Sequence, residues 1–304
     1  MCHPNVQYRA AMSSPDEQPV RFVIVPKVEH PWYDEVLSGA RHQAATMSTA
    51  VHAPIEVSYA PPEQATLASQ QATLESVLTS KPQGIAIDPV EPADSMPAMI
   101  LARESGVPVV AFDSPSPTEG ITGVGNNFAE QGAVAARRLA ALLDGSGEVA
   151  VMQGVPHAPN HLQRYRAQLT VLEEFDGITV IDGGIDHDDI TTARAEAARV
   201  LAANPHLRGY LACDASGPIG IAQALVDSGR SGEVTAVGMD SIAPIAQAVA
   251  DGVLESSVAT IPRMQGAMSV LMLWQATLGL PVPRFVDTGI EIVTAANAKD
   301  YLPG

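Results

Sequence analysis

The chain is poor in cysteine: Cys2 stands near the N-terminus and Cys213 in an apolar stretch. Two such residues exclude a disulfide framework and a cysteine-built metal site. Basic residues are also scarce. Seventeen Lys and Arg stand against 34 Asp and Glu, a formal charge of −17, and a phosphate backbone needs a basic footprint, so nucleic acid is excluded as a partner. No apolar run approaches the roughly 18–20 residues of a membrane span. The opening "MCHPNVQYRAAMSSPDEQPV" lacks the apolar core of a secretory signal and reads as a flexible tail over residues 1–20. That leaves a cytosolic protein or a processed form. Aromatics are few, five Phe, two Trp and six Tyr, so the adjacent Trp32 and Tyr33 in "VPKVEHPWYDEV" need a reason.

Several chemical signatures are missing as well. "GVGNN" has no third glycine at dinucleotide spacing, and neither a P-loop nor a Gly-x-Ser-x-Gly elbow occurs. His157 and His161 lack a third metal ligand. "IDHDD", residues 185–189, lacks the ligand spacing of a calcium loop and reads as a solvated loop with a helix cap. Cys213 reads as a small buried hydrophobe, and Met264, Met268 and Met272 read as core. No cofactor is expected and no metal.

What is present is an alternation. At 304 residues and 46% hydrophobic, the chain is globular and long enough for two domains. Strand-like runs fall at Arg21–Pro26, Ile55–Tyr59, Gly84–Ile87, Val107–Phe112, Thr122–Val124, Glu148–Gln153, Thr179–Asp182, Gly209–Ala212, Val234–Gly238 and Ser257–Thr260. Helical patterns fall between them, at 62–79, 92–105, 161–175, 190–203, 215–228, 242–251 and 262–279. Another is capped by Asn126 or Asn127 and runs to Leu143, with Phe128, Ala135, Leu139 and Leu142 at helical spacing. This order predicts an α/β fold of two Rossmann-like lobes with parallel sheets. In such sheets ligands bind beyond the carboxyl ends of the strands.

At those ends stand Lys27, His30, Trp32 and Tyr33 after the first strand. Asp88 follows the third, Asp113 the fourth, and Asp214 and Asp240 two later ones. "MQGVPHAPNHLQRYR" adds Asn160 and Arg164. Any one aspartate at such a junction reads as a helix N-cap. Four of them, with a lysine, an arginine and two aromatics, suit a small, uncharged, hydroxyl-rich ligand: carboxylates accept from hydroxyls, arginine donates a planar fork, and aromatic faces cover C–H surfaces.

These residues carry a resemblance. "VPKVEHPWYDEVLSGA" is similar to the opening motif of type I periplasmic binding proteins of the ribose/galactose-like group, the solute receptors of ABC transporters. "GIAIDPVEPAD", "GVPVVAFDSP", "RYRAQL", "LACDASGPIGIAQAL", "TAVGMDSIAP" and "SSVATIPRMQG" resemble later motifs of that family in order. The resemblance implies a non-enzymatic receptor that captures a sugar or sugar alcohol in a cleft between lobes by hinge closure. Its domains would be 21–125 plus 261–288 and 126–260 plus 289–304. Crossovers are expected near Gly125–Asn126, Thr260–Ile261 and Thr288–Gly289. The implied ligand contacts are His30, Trp32, Tyr33, Asp88, Asp113, Arg164, Asp214, Asp240 and Thr260. Trp32→Ala is expected to abolish binding and leave the fold intact. The implied partners are a carbohydrate or polyol and an ABC transporter permease, for a monomer working outside the cytoplasm, in the periplasm or as a cell-surface lipoprotein.

Departures from the family pattern bear on the ligand. His30 stands for the usual Asn, Ser114 for Arg, Asp214 for Asn, Thr260 for Gln, and Ala167 with Gln168 for Gly-Phe. An open-chain polyol or a smaller sugar fits this set. "VPK" also resembles the autoinducer-2 receptors, which adds Lys27 to the contacts and an autoinducer-2-like or chemosensory receptor as the alternative. A LacI-type repressor is disfavoured, because too little chain precedes the first strand for a DNA-binding domain.

Overall fold

The computed structural model describes residues 19–114 and 120–302. The tail expected over 1–20 lies, up to residue 18, outside the described residues, as does Cys2. The chain opens with β1 (Val20–Val25), α1 (Pro31–Val51), β2 (Ile55–Tyr59), α2 (Leu67–Thr79), β3 (Gly84–Ile87), α3 (Pro92–Glu104), β4 (Val109–Phe112) and β5 (Thr122–Gly125). It continues with α4 (Phe128–Leu142), β6 (Ser146–Gln153), α5 (Pro159–Leu172), β7 (Gly177–Ile185), α6 (Ile190–Ala203), β8 (Leu207–Leu211), α7 (Ser216–Asp227), β9 (Thr235–Met239), α8 (Ala243–Ala250) and β10 (Ser256–Thr260). Then come α9 (Pro262–Thr277), β11 (Phe285–Asp287), β12 (Ile290–Thr294) and a short 3-10 turn, Ala298–Tyr301.

Two six-stranded sheets result, ordered β11-β5-β4-β3-β1-β2 and β12-β10-β9-β8-β6-β7. Pairs from β1–β2 to β9–β10 are parallel, while β12 runs antiparallel to β10. Every residue of β3, β4, β5 and β10 is buried, the expected state of a parallel strand covered by helices on both faces. Strands β11 and β12 were not expected from sequence. They are short, partly exposed edge strands, without the continuous apolar run that marks the central ones.

Backbone contacts divide the chain into two compact units. One comprises residues up to Phe112 with Ser116–Thr122 and Arg263–Arg284; the other comprises Asp113–Pro115, Gly123–Pro262 and Phe285 onward. In the first unit, Val23, Val25, Ile85, Ile87, Val109 and Ala111 from the strands pack with Leu74 and Met99 from the helices. The second unit has an apolar layer on each side of its sheet. One layer is centred on Met152, Tyr210, Leu225 and Ile245, the other on Leu139, Val149, Val151 and Leu172.

Helix ends follow local chemistry. The helix expected from residue 62 begins only at Leu67, because Pro61 and Pro62 precede it and Thr66 caps it, accepting from the Ser69 amide at 3.3 Å. Asn127, not Asn126, caps α4 by accepting from the Glu130 amide at 3.0 Å. Its buried stripe holds Phe128, Ala135 and Leu139 as expected, but Leu142 is exposed and Leu143 buried in its place. Thr288 donates through both its amide (2.6 Å) and its hydroxyl (2.8 Å) to the carbonyl of Gly125, tying two connecting segments together.

Candidate functional site

In the first unit, β1 ends at Val25 and the chain must turn before α1. Pro31 occupies the first helical position, where its missing N–H costs nothing, and His30 is the N-cap, its Nδ1 accepting from the Trp32 amide at 3.1 Å. Trp32 and Tyr33 therefore sit in the first turn of α1, beside the strand exits. Their rings meet edge to face at 5.2 Å, and Tyr33 meets Phe112, the last residue of β4, at 6.2 Å.

Asp88 follows β3 and is fully buried. The Tyr33 hydroxyl donates to its Oδ2 at 2.7 Å, and Lys27 Nζ lies 3.3 Å from its Oδ1. A buried carboxylate is tolerable only with such partners. Gln70 of α2 braces the same corner: its Nε2 donates to the carbonyls of Pro26 (3.0 Å) and Asp88 (2.7 Å), and its Oε1 accepts from Val90. Sequence reasoning missed Gln70, because one Gln on an amphipathic helix looks like surface. Lys27, His30, Trp32, Tyr33 and Asp88 are thus gathered at adjacent strand exits. Trp32 is 9% exposed, so it packs as well as faces outward.

The second unit gathers Arg164, Asp214, Asp240 and Thr260. Arg164 is buried on α5, 4.9 Å from the ring centroid of Phe128. Its Nε donates to Gln131 Oε1 at 2.7 Å and its Nη1 to the Cys213 carbonyl at 3.3 Å. Gln131, fully buried and also missed from sequence, accepts from Asn126 and donates to the Val258 carbonyl. Asp214 Oδ1 accepts from the Gly217 amide at 2.9 Å, the capping geometry that any strand-end aspartate invites. Burial first, then the charges of Asp186 and Asp188, push its carboxyl well above the usual carboxylate range.

Asp113 and Asp240 take another role. Both follow a strand and have left-handed backbones, with φ of 53° and 66°. Their amides donate to Val124 (2.9 Å) and Val258 (3.1 Å). Asp240 does not cap the helix that follows it, since Ile242 holds the N-cap position of α8. Aspartate tolerates this left-handed conformation better than most residues, and His52, Lys81, Asp144, His187 and Asp188 adopt it too. Asp240 Oδ1 accepts from the Thr260 hydroxyl at 3.2 Å, joining the exits of β9 and β10.

The segment read as a solvated loop, 185–189, splits in two. Asp189 does cap α6, accepting from Thr192 at 2.7 Å on the surface. Asp186, in contrast, has no exposed surface and lies beside Asp214. The string is hydrophilic, so nothing in it signals which acid the fold will bury. Cys213 is enclosed and its Sγ accepts from the Gly154 amide at 3.1 Å; burial raises its thiol pKa, as for an inert residue. Met272 is buried, whereas Met264 is exposed, contrary to its expected core role. No metal-binding cluster occurs among the described residues, and no described helix is long and apolar enough to cross a membrane.

Comparison with known proteins agrees with this architecture. Residues 21–280 match the periplasmic binding protein domain family. The chain is 22% identical over 263 residues to the D-allose-binding periplasmic protein of Escherichia coli K12, covering 84% of this chain and 83% of that protein. It is 23% identical over 247 residues to a xylose/arabinose-binding protein of Sulfolobus acidocaldarius, covering 75% of this chain but 61% of the other. A sugar-binding protein of a sugar ABC transporter from Bacillus halodurans superposes with a TM-score of 0.84 at 29% identity, covering 92% of this chain and 99% of that structure. With the family matched along most of its length, and with two sheets whose strand ends gather acids, a lysine, an arginine and aromatics, this chain belongs to the periplasmic binding protein family.

Proposed function

We propose that this protein is the solute receptor of an ABC importer, and that it captures a sugar or a sugar alcohol without transforming it. The observation that carries this reading is the strand-exit chemistry. Asp88 is buried between Lys27 and the Tyr33 hydroxyl, the Tyr33 ring meets that of Trp32, and Arg164 is buried against the Cys213 carbonyl, next in the chain to Asp214. Charges already matched within the protein favour an uncharged ligand whose hydroxyls accept and donate in turn, and a wrong ligand leaves buried polar groups unpaired. The xylose, arabinose and allose bound by its relatives support the carbohydrate class.

Lys27, His30, Trp32, Tyr33, Asp88, Asp113, Arg164, Asp214, Asp240 and Thr260 are the proposed ligand contacts. The proposed domains are 21–125 with 261–288, and 126–260 with 289–304. The receptor acts as a monomer outside the cytoplasm and passes its cargo to a permease. Isothermal titration against D-xylose, L-arabinose, D-allose, D-ribose and xylitol tests the ligand class. Saturable heat with at least one supports it, and no heat from pentoses, hexoses or polyols overturns it.

A further inference from the structure

Strands β7 and β8 flank β6 in the second sheet, so their exits face each other across the exit of β6. Asp186 leaves β7 and Asp214 leaves β8, and an oxygen of each lies beside the same face of Gly217, so the two carboxyl groups are neighbours. Both are enclosed, at 0% and 1% exposure. Each has one oxygen on a backbone amide: Asp186 Oδ1 accepts from Asp188 at 2.8 Å, and Asp214 Oδ1 from Gly217 at 2.9 Å. The second oxygen of each, Oδ2, is buried and receives no donor. Glycines line the pair closely. A Cβ on Gly217 would fall 2.9 Å from Asp186 Oδ2 and from Asp214 Oδ1, and one on Gly154 would fall 2.6 Å from Asp214 Oδ2.

None of the surrounding groups donates a hydrogen bond to either Oδ2. His187 and Asp188 face the pair from its own loop, Tyr210 from β8 and Cys213 from the segment after β8. From α5, Arg164 directs its guanidinium to Gln131 and to the Cys213 carbonyl, and His161 Nδ1 accepts from the Val155 amide. Two buried carboxylates in contact cannot both stay ionised; one proton between them replaces a repulsion with a strong hydrogen bond.

We propose that Asp186 and Asp214 hold a single shared proton at neutral pH, which makes Asp186 the positioning residue that fixes Asp214 at the β8 exit. The pair then carries one negative charge instead of two, one residue along from the Cys213 carbonyl to which Arg164 donates. Burial raises the pKa of both acids, in line with that state. The consequence for binding rests on the proposed function above; the shared proton itself does not.

The test therefore begins without any sugar. The native chain holds a proton that the unfolded chain releases above the ordinary carboxylate range, so stability falls as pH rises through the window up to the pair's own titration. Urea unfolding of the full chain is compared with D214N and D186N from about pH 5 to about pH 8.5. Within the window the wild-type folding constant should fall, relative to either variant, by about tenfold per pH unit, because an amide in place of one acid supplies the N–H without a titrating proton. A wild-type-to-variant ratio independent of pH for the variants that fold would overturn the shared proton; a purely structural role gives only that constant offset. The second arm titrates D-xylose and D-allose across the same pH range. Wild-type affinity should weaken as the pair loses its proton, and D186N affinity should lose that pH dependence. Binding that ignores pH where unfolding detects the proton would overturn the positioning role. Failure of both sugars to bind would count against the proposed function, with the proton still decided by unfolding.

Discussion

The Tyr33 hydroxyl donates to Asp88 Oδ2 at 2.7 Å across 55 residues of sequence, joining the first turn of α1 to the exit of β3. The aromatic expected as a ligand contact also donates a hydrogen bond to a buried acid. It keeps its ring against Trp32 and Phe112 while its polar tip satisfies the carboxylate.

Tyr33→Phe keeps the ring and removes the donor. Hydrogen bonds to charged acceptors contribute about 1.5–3 kcal/mol, so the urea midpoint should drop by a corresponding amount with the slope unchanged. A midpoint equal to wild type would mean that the hydroxyl adds nothing.

Lys27→Met strands the Asp88 charge, whereas Asp88→Asn removes the charge and keeps an acceptor for Tyr33. Lys27→Met should therefore be the more destabilising of the two, by about 1 kcal/mol or more, since an uncompensated buried ion costs more than a lost pair. Thermal unfolding of both variants compares them directly.

Trp32→Ala was expected to spare the fold, but the indole is buried, and truncating a buried aromatic costs about 3–5 kcal/mol. Trp32→Phe is the better probe. A sugar-induced change in tryptophan emission should vanish in W32F and persist in W274F. Persistence in W32F would remove Trp32 from the ligand surface.

Arg164→Lys replaces a fork that serves both Gln131 and the Cys213 carbonyl with a single point donor. The expected cost is about 1–3 kcal/mol of stability. Sugar affinity by isothermal titration should also fall, and affinity unchanged from wild type would place Arg164 in a structural role alone.

Gly266→Ala tests what seats α1. A Cβ there would run into the Val36 carbonyl, and one on Gly39 would run into the Arg263 carbonyl, so α1 and α9 pack backbone to backbone. Overpacking of this kind costs about 1–3 kcal/mol, read as a lowered urea midpoint. A neutral substitution would mean that the helices separate without penalty.

Much of the fold was legible because parallel strands covered on both faces leave short apolar runs between helices, and ten such runs stand out in the sequence. The strand exits were legible too, since chain order alone names the residue after each run. Strands β11 and β12 were not, because edge strands need no buried face. The start of α2 was misplaced because a helical pattern extends back through residues whose prolines forbid it.

Sequence alone determined the order of elements and the residue types at their ends, because hydrophobic burial and capping act over a few neighbouring positions. Tertiary structure decided which of those ends meet. Asp88 lies between Lys27 and Tyr33 because β1 and β3 are paired, and Asp186 lies beside Asp214 because β7 and β8 flank β6. Strand order is set by crossovers and long-range packing, so which acid is exposed, which is paired with a cation and which shares a proton is a property of the folded sheet.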